Sequence, residues 1–490
     1  MTGNQVWLDV AIDLYKKGIA QPVLWLGDDR HYKKAQEAFG DSVVRMLYFV
    51  HRPYRLNEVF YGGENIGFFS SENYLRAKDK CLRMMDRLDL YGVFSRQDRE
   101  VYFNKLIIWT LKKLEDERPD ALIVAEMPHS HAQYLIYEIC LYLGIRIAKF
   151  NIWTPAPLLY LHDLTDDQRI EANFKIEEGL GTTIEKALAD YVSGISKLNE
   201  KSERYEPGYM KRQRLKSQWS NKAKELITKG VPAELKVIKH QIGMILRGEY
   251  NPINPYHVGI LGRAKIKYFR KKNLFNCYQK MVDKCDYSKK YVYFPLHFEP
   301  ERTTNPDGGR FHDQSVALAS LRKLLPNDVE IFVKEHPSQF YFSDKGSRGR
   351  SPLFYNLIKN IRGVRLISIN EDSIKLVKHA QFSATITGTV AMEAAIMGKK
   401  SLTFGDTWYE GCPNIMSWND ALTYESIIGS HVEDSQSILG FLYSKMKLHC
   451  VPGRQNVSSE TTYARFINEN FSRVEIQGVS HLLQEFFKRV

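Results

Sequence analysis

Hydrophobic positions along this chain keep an alternating strand-and-helix rhythm towards both ends and lose it in the middle. Val6 to Gly18 carries apolar residues at helical spacing, with Gly18 as the stop. Gln21-Pro-Val-Leu-Trp-Leu-Gly27 reads as a buried strand and Ser42 to Tyr48 as the next. Asp28-Asp29, between them, reads as a solvated turn rather than a metal site. Glu72–Leu90 and Gln97–Asp116 are predicted as long amphipathic helices. Asp120–Glu126 is a predicted strand, Met127-Pro-His-Ser-His131 its exit turn, Ala132–Leu143 a helix stopped by Gly144, and Ile145–Phe150 a strand. This rhythm predicts a parallel, doubly wound sheet. In such sheets the site lies beyond the carboxyl ends of the strands, which picks out Glu126, His129 and His131, with Asn151–Pro157 lining the same edge.

From Asp163 to about Asp286 the pattern turns polar and helix-like, at Asp166–Glu178, Thr183–Glu200, Lys222–Lys229 and Leu235–Leu246. Its predicted breaks are Gly179-Leu-Gly181, Glu206-Pro-Gly208 and Asn251–Pro255. The α/β rhythm restarts at Lys290–Pro295, followed by the loop Leu296–Thr304. Strands are then predicted at Val329–Lys334, Val364–Ile367, Phe382–Ile386 and Lys400–Phe404. Helices between them fall at Asp313–Leu324, Ser351–Ile361, Asp372–His379 and Val390–Met397. Five strands with intervening helices make a second Rossmann-like domain, and the tail from Val432 reads as mostly helical. The expected organisation is an N-terminal domain 1–162, a basic helical bridge 163–286, a C-terminal domain 287–431 and a helical tail 432–490. That is the layout of GT-B glycosyltransferases and of sugar-nucleotide 2-epimerases, although layout alone implies neither.

Charge changes this picture at one place. Lys211 to Lys290 holds 20 Lys and Arg against 5 Asp and Glu, more than the whole-chain surplus of +12. A basic block on an otherwise near-neutral chain suggests an acidic partner, and a solvated helical face is the plainer reading. With Tyr268, Phe269, Phe275 and Tyr278 interleaved, it suits an anionic membrane surface better than nucleic acid, since no nucleic-acid module is recognised. No apolar run approaches the roughly 18 residues of a membrane span, and Met1-Thr-Gly-Asn-Gln lacks the profile of a secretory signal. The expected location is the cytoplasm, peripheral to the inner face of the membrane at most. Six scattered cysteines without a C-x-x-C pair read as reduced thiols.

The chemistry-bearing motifs cluster in the second half. Tyr293-Phe-Pro-Leu-His-Phe-Glu-Pro-Glu-Arg-Thr-Thr304, Lys334-Glu-His-Pro337 and Thr387-Gly-Thr-Val-Ala-Met-Glu393 resemble motifs of bacterial capsule and surface polysaccharide glycosyltransferases. That group includes β-Kdo transferases, which use CMP-activated sugars. A His-Pro pair followed some fifty residues later by a small-residue turn and a helical Glu also resembles CDP-glycerol glycerophosphotransferases. The resemblance covers Tyr291 to Gly411, and Glu126-Met-Pro-His129 resembles a turn of the same proteins more weakly.

Each motif also has a physical reading. Pro337 fixes the turn after His336 so that the imidazole faces the cleft. Gly388 and Thr389, with Thr387, would offer N–H groups and a hydroxyl to a phosphate at a helix start. Glu393 would accept ribose hydroxyls. Arg302 is a phosphate clamp by its fork geometry, with His297 and Glu301 on the same loop and Lys334 at the end of the neighbouring strand. These residues form the expected donor site. Glu126, then His129 and His131, are the candidate bases for the acceptor hydroxyl.

The resemblance implies a sugar transferase with a nucleotide-sugar donor and a glycan or lipid-linked glycan acceptor. The transfer is expected to be inverting, and the sequence calls for no metal or other cofactor, since helix dipoles, His336 and Arg302 can meet the phosphate. A polyol-phosphate transferase, a 2-epimerase and a basic nucleic-acid-binding protein are the competing readings.

Overall fold

The computed structural model describes residues 5–27, 31–45, 66–89, 95–198, 260–341, 349–455, 463–467 and 470–489, with isolated helical residues between 215 and 246. In chain order the first elements are α1 (Val6–Lys16), β1 (Trp25–Gly27), α2 (Tyr32–Phe39), β2 (Val43–Arg45), α3 (Glu72–Leu88) and α4 (Arg96–Glu117). Next come β3 (Ala121–Val124), α5 (His131–Tyr142), β4 (Arg146–Trp153), β5 (Leu158–Asp163), β6 (Gln168–Arg169) and α6 (Glu178–Leu198). They are followed by α7 (Ile260–Met281), β7 (Tyr291–Pro295), α8 (Gln314–Leu324), β8 (Glu330–Lys334), α9 (Pro352–Lys359), β9 (Val364–Ile367) and α10 (Ser373–His379). The last are β10 (Ser383–Thr385), α11 (Val390–Ile396), β11 (Ser401–Thr403), β12 (Ile415–Ser417), α12 (Tyr424–Gly429), α13 (Ser435–His449), β13 (Val451–Pro452) and α14 (Phe471–Phe487).

Two units emerge. Unit 1 comprises Met1–Leu82, Arg96–Tyr191 and Leu439–Val490; unit 2 comprises Arg83–Ser95 and Val192–Ile438.

Unit 2 is built on a six-stranded sheet in the order β12-β11-β10-β7-β8-β9, with every pair parallel. Parallel strands covered by helices on both faces read as continuous apolar runs. Tyr291 to Phe294 and Ile331 to Val333 are accordingly buried along their whole length. The helices start on short polar caps: Asp313 accepts from Ser315 N–H, Ser351 from Phe354 N–H and Asp372 from Ile374 N–H. α11 closes at Gly398, whose φ of +71° suits a residue without a Cβ. The chain runs β7, β8, β9 outwards, then returns to lay β10 on the other side of β7. The point of reversal lies between β7 and β10, and at such points the loops leaving neighbouring strands run to opposite faces of a parallel sheet. The sixth strand, β12, was missed in the sequence because it is short and only partly buried, so it lacks an apolar run.

Unit 1 is also α/β, but its sheet is mixed, which corrects the expectation of a parallel one. Its order is β13-β5-β4-β3, with β3 and β4 parallel and both β4–β5 and β5–β13 antiparallel. β1 and β2 form a separate parallel pair. Asn151–Trp153, expected in an edge loop, continue β4, and Thr154 to Pro157 turn the hairpin into β5. Residues expected as a helix from Asp166 form β6 and an extended run, while Gly179 and Gly181 lie inside α6 instead of breaking it.

Part of the expected helical tail belongs to this unit. β13 pairs with β5, and Val479, Leu482, Leu483 and Phe486 of α14 share a core with Val6, Trp7, Val10 and Leu14 of α1. Trp7 Nε1 donates to the Gln455 carbonyl at 3.1 Å. Arg454 and Glu475 form a buried pair, with Nε 3.0 Å from Oε2.

All six cysteines are free thiols. Among the described residues no helix is long and apolar enough to cross a membrane. Apart from those isolated helical residues, the basic stretch 211–259 and the helices expected at 222–246 lie outside the described residues, as does Asp28-Asp29.

Candidate functional site

The loops leaving β7, β8 and β10 bring His297, His336 and the Thr387-Gly388-Thr389 turn to the reversal point of the unit 2 sheet. The β7 and β10 loops are joined through the His297 ring. Its Nε2 accepts from Thr387 N–H at 3.3 Å and lies 3.1 Å from Thr385 Oγ1. Gly388 N–H donates to the same Thr385 hydroxyl at 3.2 Å. These bonds leave Nε2 unprotonated and put the proton of the neutral ring on Nδ1. Nδ1 sits 3.4 Å from Thr303 Oγ1, which donates to Glu301 Oε2 at 3.1 Å. Burial depresses the His297 pKa to about 3, helped by His336 and the Arg350 guanidinium. The imidazole therefore works as a neutral relay from Glu301 to the turn.

This overturns one expectation. Gly388 and Thr389 are expected to offer N–H groups to a phosphate; the Gly388 N–H is instead taken by the Thr385 hydroxyl, and the neighbouring Thr387 N–H by His297. The Thr387 hydroxyl donates to the Thr303 carbonyl at 2.8 Å, and Tyr409 donates to the Gly388 carbonyl at 2.6 Å. α11, which follows, has only 7 residues. The turn is a braced corner of the site more than an open anion nest. Gly388 is required there sterically, since a Cβ would lie 2.7 Å from Thr385 Oγ1. Gly405, at the exit of β11, is equally confined: its Cβ would stand 2.8 Å from the Asp307 carbonyl.

His336 caps the short turn Pro337–Gln339, and Pro337 occupies the first helical position. Its Nδ1 accepts from Ser338 N–H at 3.2 Å, so the neutral ring carries its proton on Nε2 as a donor. Burial lowers its pKa to about 4, with Lys334 and Arg350 acting in the same sense. Phe298 packs beside the ring at 6.0 Å between centroids. Glu393 accepts from the Thr389 hydroxyl at 3.1 Å, and burial raises its pKa.

Two expected ligand groups are engaged in holding the fold. Lys334 is buried and donates to the Glu371 carbonyl and the Ser373 hydroxyl, both at 2.7 Å, tying β8 to the start of α10. Arg302 Nε lies 3.5 Å from Asp307 Oδ2 within its own loop.

Several residues around this corner carried no sequence signal. Gln314, nearly fully buried, receives His297 N–H on Oε1 at 2.8 Å and donates to Glu299 Oε1 at 2.8 Å. Burial raises the Glu299 pKa. Arg87, at the end of α3 in the stretch grouped with unit 2, lies in the field of Glu299, Asp307 and Glu301. A buried glutamine in the first turn of α8 and an arginine from a distant helix have no local motif that could have found them.

In unit 1 the candidate bases separate. Glu126 and His129 follow β3, with Nδ1 3.8 Å from Oε1. Glu126 also borders a mostly apolar cavity of about 580 Å³, lined by unit 1 residues including Trp7, Leu14, Trp25, Leu122 and Phe487. His131 is fully buried at the start of α5, its Nε2 3.2 Å from Tyr102 Oη and its carbonyl accepting from Cys81. That geometry makes it a packing residue and removes it from the candidate bases.

Residues 255–414 match the family model described as "Capsule polysaccharide biosynthesis protein". The second-half motifs from Tyr293 to Glu393 all fall within that segment, which bears out the resemblance drawn from them; it is about a third of the chain. No curated protein matches. Similar solved structures include KpsC, beta Kdo 2,7 transferase, of Thermosulfurimonas dismutans, at 15% identity over 38% of this chain and 60% of that one, with a TM-score of 0.24. Another is the UDP-GlcNAc 2-epimerase of Methanocaldococcus jannaschii, at 15% identity over 71% and 75%, TM-score 0.22. A third is the wall teichoic acid polymerase TagF, at 14% identity over 47% and 51%, TM-score 0.18. The chain thus spans less than two thirds of the length of the first of these.

Proposed function

We propose, from residues 255–414 as a segment of the capsule polysaccharide biosynthesis family, that this chain is a glycosyltransferase of surface polysaccharide assembly. It moves a sugar from a nucleotide donor, CMP-linked by preference, to a growing glycan or glycolipid. The observation that carries the reading is the meeting of His297, His336 and the braced Thr387–Thr389 turn at the reversal point of a parallel sheet. Crevices at such points take nucleotides.

The roles follow from the protonation states. His336, neutral with its proton on Nε2, donates to a phosphate oxygen of the donor and again as charge builds on the leaving group. A neutral donor suits this step because it needs no proton from solvent and stays in one form across the working pH range. Glu393, held by Thr389, accepts from the donor's ribose hydroxyls. His297 does not touch the donor; it holds the turn against which the phosphate packs. Glu126 removes the proton of the acceptor hydroxyl, and the apolar cavity beside it receives the less polar part of the acceptor.

Thermal-shift measurement with CMP, CDP, UDP and GDP tests the donor reading. One pyrimidine nucleotide at about 100 times its Kd is expected to stabilise the protein by about 2.7 kcal/mol. Absence of a shift with all four would remove the nucleotide site.

A further inference from the structure

His336 is the proposed phosphate donor, yet the turn that carries it is only three residues long. Its direction is set by a buried charged pair, Glu335 within the same motif and Arg350 outside every motif. Glu335, the residue before it, is fully buried, and its Oε1 accepts His336 N–H at 2.7 Å. Its Oε2 accepts from Arg350 Nε at 2.9 Å and from the Tyr355 hydroxyl at 2.7 Å. Glu335 N–H in turn donates to Tyr278 Oη at 3.0 Å. Arg350 Nη2 donates to the His297 carbonyl at 2.8 Å. One guanidinium thus bonds on one side to the carboxylate that holds His336, and on the other to the main chain of the β7 loop.

We propose that Arg350, acting through Glu335, is the positioning residue that aims His336 at the donor phosphate, with the His297 carbonyl as its fixed anchor; this rests on the donor-site reading above. Neither side chain reaches a ligand, since only 4% of the Arg350 side chain and none of Glu335 is exposed. Arg350 is itself held from both sides. Gly349 abuts the Glu299 backbone so closely that no Cβ fits, and Ser351 and Pro352 open α9 immediately afterwards. The Phe354 ring covers the guanidinium at 4.3 Å.

A buried ion pair adds little stability over a well-packed apolar pair of the same volume, so a geometric purpose accounts for this one better than stability does. The purpose needs arginine. A planar fork can bind two acceptors in fixed relative directions, whereas a lysine ammonium is a point charge on a flexible stem.

A double-mutant cycle on nucleotide affinity separates positioning from general support. The probe is whichever of CMP, CDP, UDP and GDP binds the wild-type protein most tightly by calorimetry. Arg350→Lys is expected to weaken it about tenfold in the wild-type background and less than about threefold in the His336→Ala background, because residues joined in one hydrogen-bond network are coupled. Equal losses in the two backgrounds, or no loss in the first, would overturn the positioning role. If Arg350→Lys fails to fold by circular dichroism, the near-isosteric Glu335→Gln runs the same cycle; loss of fold in both assigns the pair to stability alone and rejects the proposal. If His336→Ala alone leaves affinity unchanged, the donor reading fails first and takes the positioning role with it. That outcome is recognisable because it appears in a single variant that leaves Arg350 and Glu335 intact.

Discussion

Unit 2 and unit 1 use the same kinds of element and arrive at different levels of definition. Unit 2 draws its six parallel strands from one run of chain, Tyr291 to Ser417, and the reversal between β7 and β10 forces the loops of separate strands to converge. Unit 1 mixes strand directions, sets β1 and β2 apart, and takes its edge strand β13 from far along the chain. Its candidate base, Glu126, follows β3, with His129 Nδ1 3.8 Å from Oε1. The contrast teaches that a parallel topology gathers candidate groups from separate loops in one unit, while in the other the candidate base and its histidine follow a single strand beside an apolar cavity.

The largest expected effect tests whether the sparse unit matters at all. Glu126→Ala should reduce transfer by about 10²- to 10⁴-fold, the range of a lost general base, with nucleotide affinity unchanged. Steady-state transfer and calorimetry on the same variant check this, and near-normal turnover would return unit 1 to a purely structural role.

Next in size is a stability difference. Glu475→Ala strands the buried Arg454 guanidinium in unit 1 and should cost about 3–5 kcal/mol. Hydrogen exchange resolved by peptide should show the loss first in α1, β5 and α14, with the β7 to β11 peptides protected as before. Uniform loss would mean that the two units unfold as one.

The smallest effect is a pH slope. His297 and His336 have folded pKa values of about 3 and about 4, below the ordinary 6.5. Their contribution to stability is therefore complete above about 6.5 and is lost as pH falls towards the folded values. Between pH 6.5 and 4 each should remove up to about 1.4 kcal/mol per pH unit. His449 in unit 1 is lowered in the same direction by burial, so acid should weaken both units and unit 2 more steeply. Denaturant titrations at pH 7 and pH 5 measure it; a flat profile would show that the two imidazoles are solvated.

Legibility from sequence followed the same division. The second-half strands and helices were readable because buried parallel strands are apolar throughout and their helices begin on Asp or Ser caps. His297, His336 and Gly388 were found from their motifs. Their partners Gln314, Thr385 and Arg350 were not, nor was the part played by Glu335 inside its motif, since side-chain hydrogen bonds across strands leave no periodic trace. Lys334 looked like a ligand because lysine at a strand end usually meets solvent; burial against the start of α10 gave it other acceptors. In unit 1 the hairpin after β4 was misread because Thr154, Pro155 and Pro157 resemble a loop, while the residues before them are equally at home in a strand. His131 was drawn into the site by its place in the turn beyond the carboxyl end of β3, where it in fact opens α5 and is buried.

The union of α1 and β5 with β13 and α14 has a consequence for how the protein is made. A chain leaves the ribosome from its N-terminus, so α1 and β5 emerge long before the strand and helix that complete their core. Unit 2 has its whole sheet in hand by Ser417 and can fold while unit 1 still waits. The half that is synthesised first would be the last to finish, and its apolar faces would stand exposed through most of translation. Any truncation before Val451 should therefore surface as a failure of the N-terminal core rather than as the loss of a dispensable tail.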